Sequence, residues 1–193
     1  MARKQKAKEL RNRRPVLVSA GITERLYFKH LAHMKGYNIS PIPRFSGNDT
    51  PFYMDKYVRE VLADNGIAVC VYDMDEAVRA ETIRKKLAEF VNTYKSNPNV
   101  ILCGSMPSIE YWFLLHFEKT NRYFGSSDKV IEALQHYIPF EKTERFLKQP
   151  AWVQRLLSEE RMQHAIENAD ELGTNGESYT QIPDAIRFLE ERK

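Results

Sequence analysis

The stretch that decides the fold is Ile67-Ala68-Val69-Cys70-Val71-Tyr72, an uninterrupted apolar run that leads directly into Asp73-Met74-Asp75-Glu76. Its length and β-branched residues predict a strand, and its continuous apolarity indicates burial on both faces, as in a parallel sheet covered by helices. A long amphipathic helix is predicted after the acidic residues, up to about Lys95. Strand and helix therefore alternate around this run.

Two further strands are predicted on either side of the run, at Pro15–Ser19 and Asn99–Cys103. The segment Ile109–Phe117 is apolar almost all round, which predicts a buried helix. The segment Asn38–Arg44 contains Pro41 and Pro43, which cannot donate to a ladder, so any strand in this segment lies at a sheet edge. After Gly125 the pattern predicts helices only, around residues 127–137, 141–148, 150–170 and 181–192.

These elements predict an α/β fold: an open, mostly parallel sheet flanked by helices, with a C-terminal helical annex. We expect a basic N-terminal arm over residues 1–14, a catalytic domain over 15–122, and the annex over 123–193, packed on the same domain. The 193 residues suffice for one sizeable core. No apolar run is long enough to cross a bilayer and no secretory leader opens the sequence, so we expect a cytoplasmic protein.

Basic residues concentrate in the first 14 positions, although the whole chain carries a net charge of only +3. They are Arg3, Lys4, Lys6, Lys8, Arg11, Arg13 and Arg14. A basic arm on a slightly acidic body predicts a polyanionic partner such as nucleic acid, with an affinity that falls as salt rises. A solubilising N-terminus explains the same composition equally well.

The acidic residues after the central run form a candidate metal site, because sites in open α/β sheets form beyond the carboxyl ends of strands. Asp73 and Asp75 alternate in extended chain, so both carboxylates point to one side. Oxygen ligands without a nearby His or Cys favour Mg²⁺ or Mn²⁺ over zinc. Glu110, in the first turn of the apolar helix, is a candidate third ligand. The alternative is that these acids merely complement helix dipoles.

Other candidate groups are less informative. His116 lies in an apolar segment, which predicts a hydrogen-bonded core histidine rather than a general base. His30 and His33 lie on a helix without accompanying carboxylates, so they indicate a solvated helix face. Cys70 and Cys103 lie in apolar runs and are interpreted as buried small hydrophobes. The sequence contains neither G-x-x-x-x-G-K-[ST] nor G-x-G-x-x-G, which excludes the usual ATP-binding and dinucleotide-binding loops.

Four segments, in order and over most of the chain, resemble the RloB-like Toprim family. Residues 16–28 resemble its opening strand, which continues into Glu-Gly, Thr-Glu and an aromatic pair. Val71–Asp75 resembles its Asp-x-Asp motif, and Ser105–Phe117 is similar to its Asn-Pro-x-Phe-Glu-x-Trp-x-Leu-Leu-His-Phe block. Glu177–Ile182 resembles a weaker C-terminal signature.

The resemblance implies a Toprim fold and metal-dependent phosphodiester cleavage. Carried onto this chain, Asp73 and Asp75 bind Mg²⁺ or Mn²⁺, and Glu110 joins them or orients the attacking water. Glu24 and His116 stand in the matching motifs and are expected in the site. Metal ions in such a site clamp the attacking and leaving oxygens while the basic arm holds the nucleic-acid backbone.

The resemblance also implies a biological setting. Such proteins occur in bacterial anti-phage defence islands, and the related AriB subunit of the PARIS system is a toxin that an ATPase partner releases to attack tRNA. We therefore expect a nuclease acting on RNA, with tRNA as the expected substrate, a possible ATPase partner and a possible homodimer. Annex residues expected to be exposed could form a dimer seam, namely Trp152, Leu156 and Leu157, and the same residues pack equally well within a monomer.

One departure from the family pattern bears on activity. The Toprim glutamate after the first strand is Ala20 in this chain, and alanine neither coordinates a cation nor moves a proton. We expect severely impaired cleavage, either because the protein is a degenerate binding-only relative or because the glutamate was replaced to silence a toxic nuclease. The otherwise intact motifs favour replacement. Ser105 or Met106 also stands where the family usually has Asn.

Two competing functions remain open. The chain is alternatively a catalytically silent subunit that binds an ATPase or nucleic acid through the arm and annex. A fragment of a primase or topoisomerase is less well supported, because there is no accompanying zinc module and no distinguished tyrosine nucleophile.

Overall fold

The structure, a computed structural model, describes residues 14–19, 21–41, 51–75 and 80–193, with the backbone alone at 51 and 52. Within these ranges the strands form one sheet in the order β2-β1-β3-β4-β5. The first four are mutually parallel and β5 runs antiparallel to β4. The strands are β1 (Val16–Ser19), β2 (Ser40–Pro41), β3 (Ala68–Asp73), β4 (Val100–Met106) and β5 (Tyr179–Thr180).

Helices cover both faces of this sheet, which confirms the predicted α/β class with a C-terminal helical region. They are α1 (Ile22–Lys35), α2 (Pro51–Ala63), α3 (Glu81–Tyr94), α4 (Ile109–Leu114), α5 (Ser127–Leu134), α6 (Glu144–Leu147), α7 (Ala151–Leu157), α8 (Arg161–Leu172) and α9 (Ile182–Glu190). Helices α2 and α3 pack on one face, and α1, α4 and α9 pack on the other. None of the described helices is long and apolar enough to span a membrane.

The position of β3 between two cores explains why its residues Ala68 to Tyr72 are all apolar. Val69 and Val71 enter the larger core with α1 and α4, whereas Ala68, Cys70 and Tyr72 enter the smaller core with α2 and α3. All five side chains are buried. Burial on both faces removes apolar surface from water, and each Å² of apolar surface buried stabilises the fold by roughly 25 cal/mol. The interpretation of this run as a central parallel strand is therefore confirmed.

Helix α4 is the best-buried helix and anchors the larger core. Its side chains from Ile109 to Leu114 are all inaccessible to solvent. The Trp112 indole Nε1 donates a hydrogen bond of 2.8 Å to the Tyr27 hydroxyl, and Phe113 packs its ring 4.9 Å from that of Tyr27. These contacts fasten α4 to α1, and so hold the first turns of the two helices relative to each other.

The prediction of helices only after Gly125 is wrong at two points. Tyr179–Thr180 forms β5 and pairs with Ser105–Met106 of β4. A two-residue strand has no measurable hydrophobic period, so the pattern does not reveal it. The single helix predicted over 150–170 is also interrupted, because Glu159 and Glu160 adopt left-handed backbone with φ of 56° and 60°.

The predicted edge strand and dimer seam have different outcomes. Strand β2 ends at Pro41 and lies at the sheet edge, as expected, while Pro43 lies outside the described residues. The expectation that Trp152 and Leu156 are exposed is wrong, since both are buried in the core and Leu157 packs against it. The homodimer itself stays a prediction, but these residues do not offer its interface.

Candidate functional site

The carboxyl ends of β1, β3 and β4 meet along one side of the sheet, which we call the carboxyl edge. The three strands are parallel and in register, so that Ser19 pairs with Val71 and Asp73 with Ser105. Helices α1 and α4 begin within three residues of the ends of β1 and β4. The edge therefore receives the first turns of two helices together with the end of β3, which is where sites form in open α/β sheets.

Asp73 lies at the centre of this edge. Its Oδ1 accepts a hydrogen bond of 2.8 Å from the backbone N–H of Ile109, the first residue of α4. Burial raises the pKa of Asp73 well above its ordinary value, and the negative charges of Glu24 and Glu110 raise it further. Glu24 on α1 and Glu110 on α4 are thus both close enough to Asp73 on β3 to repel its charge.

Glu110 is completely buried, with 0% of its side chain exposed. Its Oε1 lies 3.0 Å from the Lys142 Nζ, in an ion pair whose lysine side chain is 43% exposed. Burial lowers the pKa of Lys142, but the charges of the surrounding carboxylates outweigh burial and raise it. Lys142 therefore supplies positive charge to the cluster formed by Glu24, Asp73 and Glu110. The sequence pattern contains no signal for it, since Lys142 comes from the short segment before α6.

Glu24 lies in the first turn of α1 and is almost fully buried. A Cβ at Gly21 would lie 2.5 Å from the Glu24 Oε2, so the carboxylate lies directly against the backbone of the residue that caps the helix. A side chain at position 21 would therefore displace the Glu24 carboxylate. The close approach brings Glu24 towards the end of β1 and towards Asp73, in agreement with the repulsion between their charges.

Asp75 is held at the same edge by its backbone. Its N–H donates to the Pro107 carbonyl at 3.1 Å, and the Met74 N–H donates to the Ser105 carbonyl at 2.9 Å. These bonds continue the β3–β4 contact past the end of the strand. The Asp75 side chain is half-buried, and Glu76 lies outside the described residues.

Several buried oxygen atoms near the carboxylates lack a hydrogen-bond partner within the described part of the chain. They are Thr23 Oγ1, Ser108 Oγ and both carboxylate oxygens of Glu110, of which Oε1 has only the ion pair with Lys142. Buried polar atoms are ordinarily satisfied, so unsatisfied oxygens beside an acidic cluster indicate a missing donor or cation. Carboxylate and hydroxyl oxygens are the donor type that Mg²⁺ and Mn²⁺ prefer.

The donor type and charge of the edge fit a divalent cation, but the ligands are not preassembled. Over residues 14–19, 21–41, 51–75 and 80–193, no three Asp, Glu, His or Cys side chains stand in a metal-binding arrangement. Asp73 and Glu110 come close together, and Lys142 already forms an ion pair with one carboxylate oxygen of Glu110. The ligand roles of Asp73, Asp75 and Glu110 stay predictions.

His116 is a buried core residue. Its Nδ1 donates a hydrogen bond of 2.9 Å to the Trp112 carbonyl, and its ring packs edge-on against the Trp112 indole. Burial lowers the pKa of His116 to about 4, so the ring is neutral near pH 7. These contacts agree with the interpretation of a hydrogen-bonded core histidine, while a catalytic role for it stays a prediction.

Two of the predicted site features fall on positions that the structure does not describe. Ala20 and the basic residues of the arm from Arg3 to Arg13 lie outside the described residues. Arg14 is described and exposed. It precedes β1 and so lies at the amino ends of the strands, on the side of the sheet opposite the carboxyl edge.

A mostly parallel sheet with buried carboxylates gathered at its carboxyl edge defines an α/β protein with an acidic site built between strand ends and helix starts. The chain belongs to the RloB-like protein family, whose family model matches residues 16–189. No curated protein and no solved structure matches the chain. The match confirms the resemblance to the RloB-like family, and the fold is consistent with a Toprim-like sheet; the further link to AriB stays a prediction.

Proposed function

We propose that this RloB-like chain has the architecture of a Mg²⁺- or Mn²⁺-dependent Toprim nuclease and that Ala20 leaves it severely impaired in cleavage. Its proposed substrate is RNA, with tRNA first, and its proposed role is that of a toxin in bacterial anti-phage defence. The observation that carries the proposal is the convergence of Glu24 and Glu110 on Asp73 at the carboxyl edge, where the charges of the two glutamates raise the pKa of Asp73.

The electrostatics of the edge support a cation as the natural complement. The charges of Glu24 and Glu110 act on Asp73 more strongly than the opposing charge of Lys142, and carboxylates held together in a buried site ionise more readily when a cation lies between them. When bound, Mg²⁺ would stabilise the charge on the attacking and leaving oxygens of a phosphodiester. Asp73, oriented by the Ile109 N–H, and the buried Glu110 are the residues best placed to hold it, with Asp75 alongside.

Ala20 bears directly on activity because in the sequence it comes directly after Ser19, the last residue of β1, where the family pattern has glutamate. A glutamate at this position would restore the carboxylate that the family pattern has there. The test is therefore Ala20→Glu, assayed on tRNA, other RNA and DNA with Mg²⁺, with Mn²⁺ and with EDTA. We expect metal-dependent cleavage and toxicity on expression; intact substrates under all conditions would overturn the proposal.

The role of Asp73 is tested in the restored background. Asp73→Asn should abolish cleavage without unfolding the chain, whereas Asp64→Asn, on an exposed residue after α2, should leave it unchanged. Full activity of the Asp73 variant would refute the metal role. Sequencing small RNAs from cells that express the restored chain would identify the substrate, since termini clustered in one anticodon loop indicate tRNA cleavage.

A second function is favoured by Lys142. Its ammonium group already neutralises part of the charge on Glu110, and Ala20 removes a ligand, as expected of a catalytically silent subunit. Such a subunit would bind an ATPase partner or nucleic acid through its arm and annex. The restored variant separates the two functions, because a silent relative would not regain cleavage through one glutamate.

A further inference from the structure

A groove lies between the loop that follows α4 and helix α5. Its volume is about 600 Å³, within the range of small-ligand sites. Tyr123 lines it with 65% of its side chain exposed. Within the described part of the chain, Tyr123 and Tyr137 are the exposed large hydrophobic residues, and Tyr137 is 44% exposed. The groove therefore places an aromatic ring in solvent beside a cavity of ligand size.

Arg122 supplies unneutralised positive charge at this groove. Its guanidinium lies 4.7 Å from the centre of the Phe124 ring, a contact that orients it, and among the described residues no carboxylate lies within ion-pair distance. Lys129 also lines the groove but is paired with Glu132. The groove thus combines an exposed aromatic face with an available, oriented cation.

Hydrogen bonds tie this loop to the carboxyl edge. The Tyr111 hydroxyl donates to the Thr120 carbonyl at 2.6 Å, and Tyr111 directly follows Glu110. The Ser178 hydroxyl donates to the Arg122 carbonyl at 2.8 Å. Ser178 directly precedes β5, which pairs with the last residues of β4. The groove is therefore held against the same end of the sheet as the acidic cluster.

We propose that this groove binds a nucleotide of a single-stranded nucleic acid, whose base stacks on Tyr123 and whose phosphate contacts Arg122. Aromatic rings interleaved with arginine are the means by which proteins hold single strands without reading their sequence. The assignment deepens the proposed function, on which it rests for the class of partner. It locates part of the substrate beside the carboxyl edge, outside the acidic cluster.

The test is the affinity of the full chain for a labelled single-stranded RNA oligonucleotide, measured by fluorescence anisotropy in EDTA. Tyr123→Ala should weaken binding about tenfold, and Tyr123→Phe should bind within about twofold of the unaltered chain, because stacking requires the ring and not the hydroxyl. Arg122→Ala should weaken binding several-fold and reduce its salt dependence. The matched control is Arg192→Ala, which removes an arginine seated on the Phe188 ring at the far end of α9.

Three outcomes would overturn the proposal: no binding of the oligonucleotide, equal affinity of the Tyr123→Ala variant, or an equal loss in the Arg192→Ala control. Analytical ultracentrifugation of the same variants tests the alternative occupant, which is a second copy of the chain. If Tyr123→Ala changes self-association and not oligonucleotide affinity, the groove is a contact between copies of the chain. Because binding is measured without metal, failure here is distinguishable from failure of the Ala20→Glu chain to cleave.

Discussion

Replacing Lys142 with methionine tests the electrostatics of the acidic cluster. Methionine keeps most of the aliphatic stem but removes the charge 3.0 Å from the Glu110 Oε1. Glu110 is then a fully buried carboxylate, and neither of its oxygens has a hydrogen-bond donor among the described residues. Breaking a buried ion pair on one side costs about 3–5 kcal/mol. Because the Lys142 side chain is 43% exposed, we expect about 2–3 kcal/mol.

The assay is urea unfolding followed by tryptophan fluorescence and circular dichroism. The matched control is Lys129→Met, which breaks an exposed pair with Glu132 and should cost less than about 1 kcal/mol. Combining Lys142→Met with Glu110→Met should recover most of the lost stability, because both buried charges are then gone. A Lys142→Met chain as stable as the Lys129→Met control would refute the reasoning.

Three further predictions address the core histidine and the cluster. Burial lowers the pKa of His116 to about 4, whereas the unfolded chain binds this proton near pH 6.5. The free energy of unfolding is therefore unaffected by this group above about pH 6.5 and falls by up to about 3 kcal/mol as the pH is lowered towards about 4. His116→Gln should lose less stability than the exposed-residue control His164→Gln between these pH values in urea titrations, and equal losses would contradict the shift. Gly21→Ala should change stability by less than about 1 kcal/mol but displace the flexible Glu24 carboxylate, so that Mg²⁺ raises its melting temperature less than that of the unaltered chain. Lys142→Met should show a larger Mg²⁺-induced rise in melting temperature, since a competing cation is gone; no difference would contradict competition.

The elements whose hydrophobic pattern extends over several residues could be predicted from the sequence. The continuous apolarity of β3 and α4 reports burial on all sides, which is why the sheet and its central helix follow from pattern alone. Strand β5 could not be predicted, because two residues carry no period and its position is set by pairing with β4. The break at Glu159 could not be predicted for a related reason, because glycine is the residue that usually marks left-handed backbone and this position is a glutamate.

The acidic cluster, too, could be predicted from the sequence only in part. The position of Asp73 after a buried strand placed it at the carboxyl edge, since the topology of a parallel sheet makes that edge the meeting point of loops. Lys142 could not be predicted, because it reaches Glu110 from a segment 32 residues further along the chain and depends on how the annex packs. The burial of Trp152 also depends on how the annex packs, since its ring completes the aromatic core around Phe113.

The most direct measurement is anomalous diffraction from crystals of the Ala20→Glu chain soaked in Mn²⁺. The account predicts a Mn²⁺ peak at the carboxyl edge, within coordination distance of Asp73 and Glu110, that is lost in the additional Asp73→Asn variant. Crystals that bind no Mn²⁺ at this edge, with Lys142 still paired to Glu110, would contradict the claim that these carboxylates serve to hold a divalent cation.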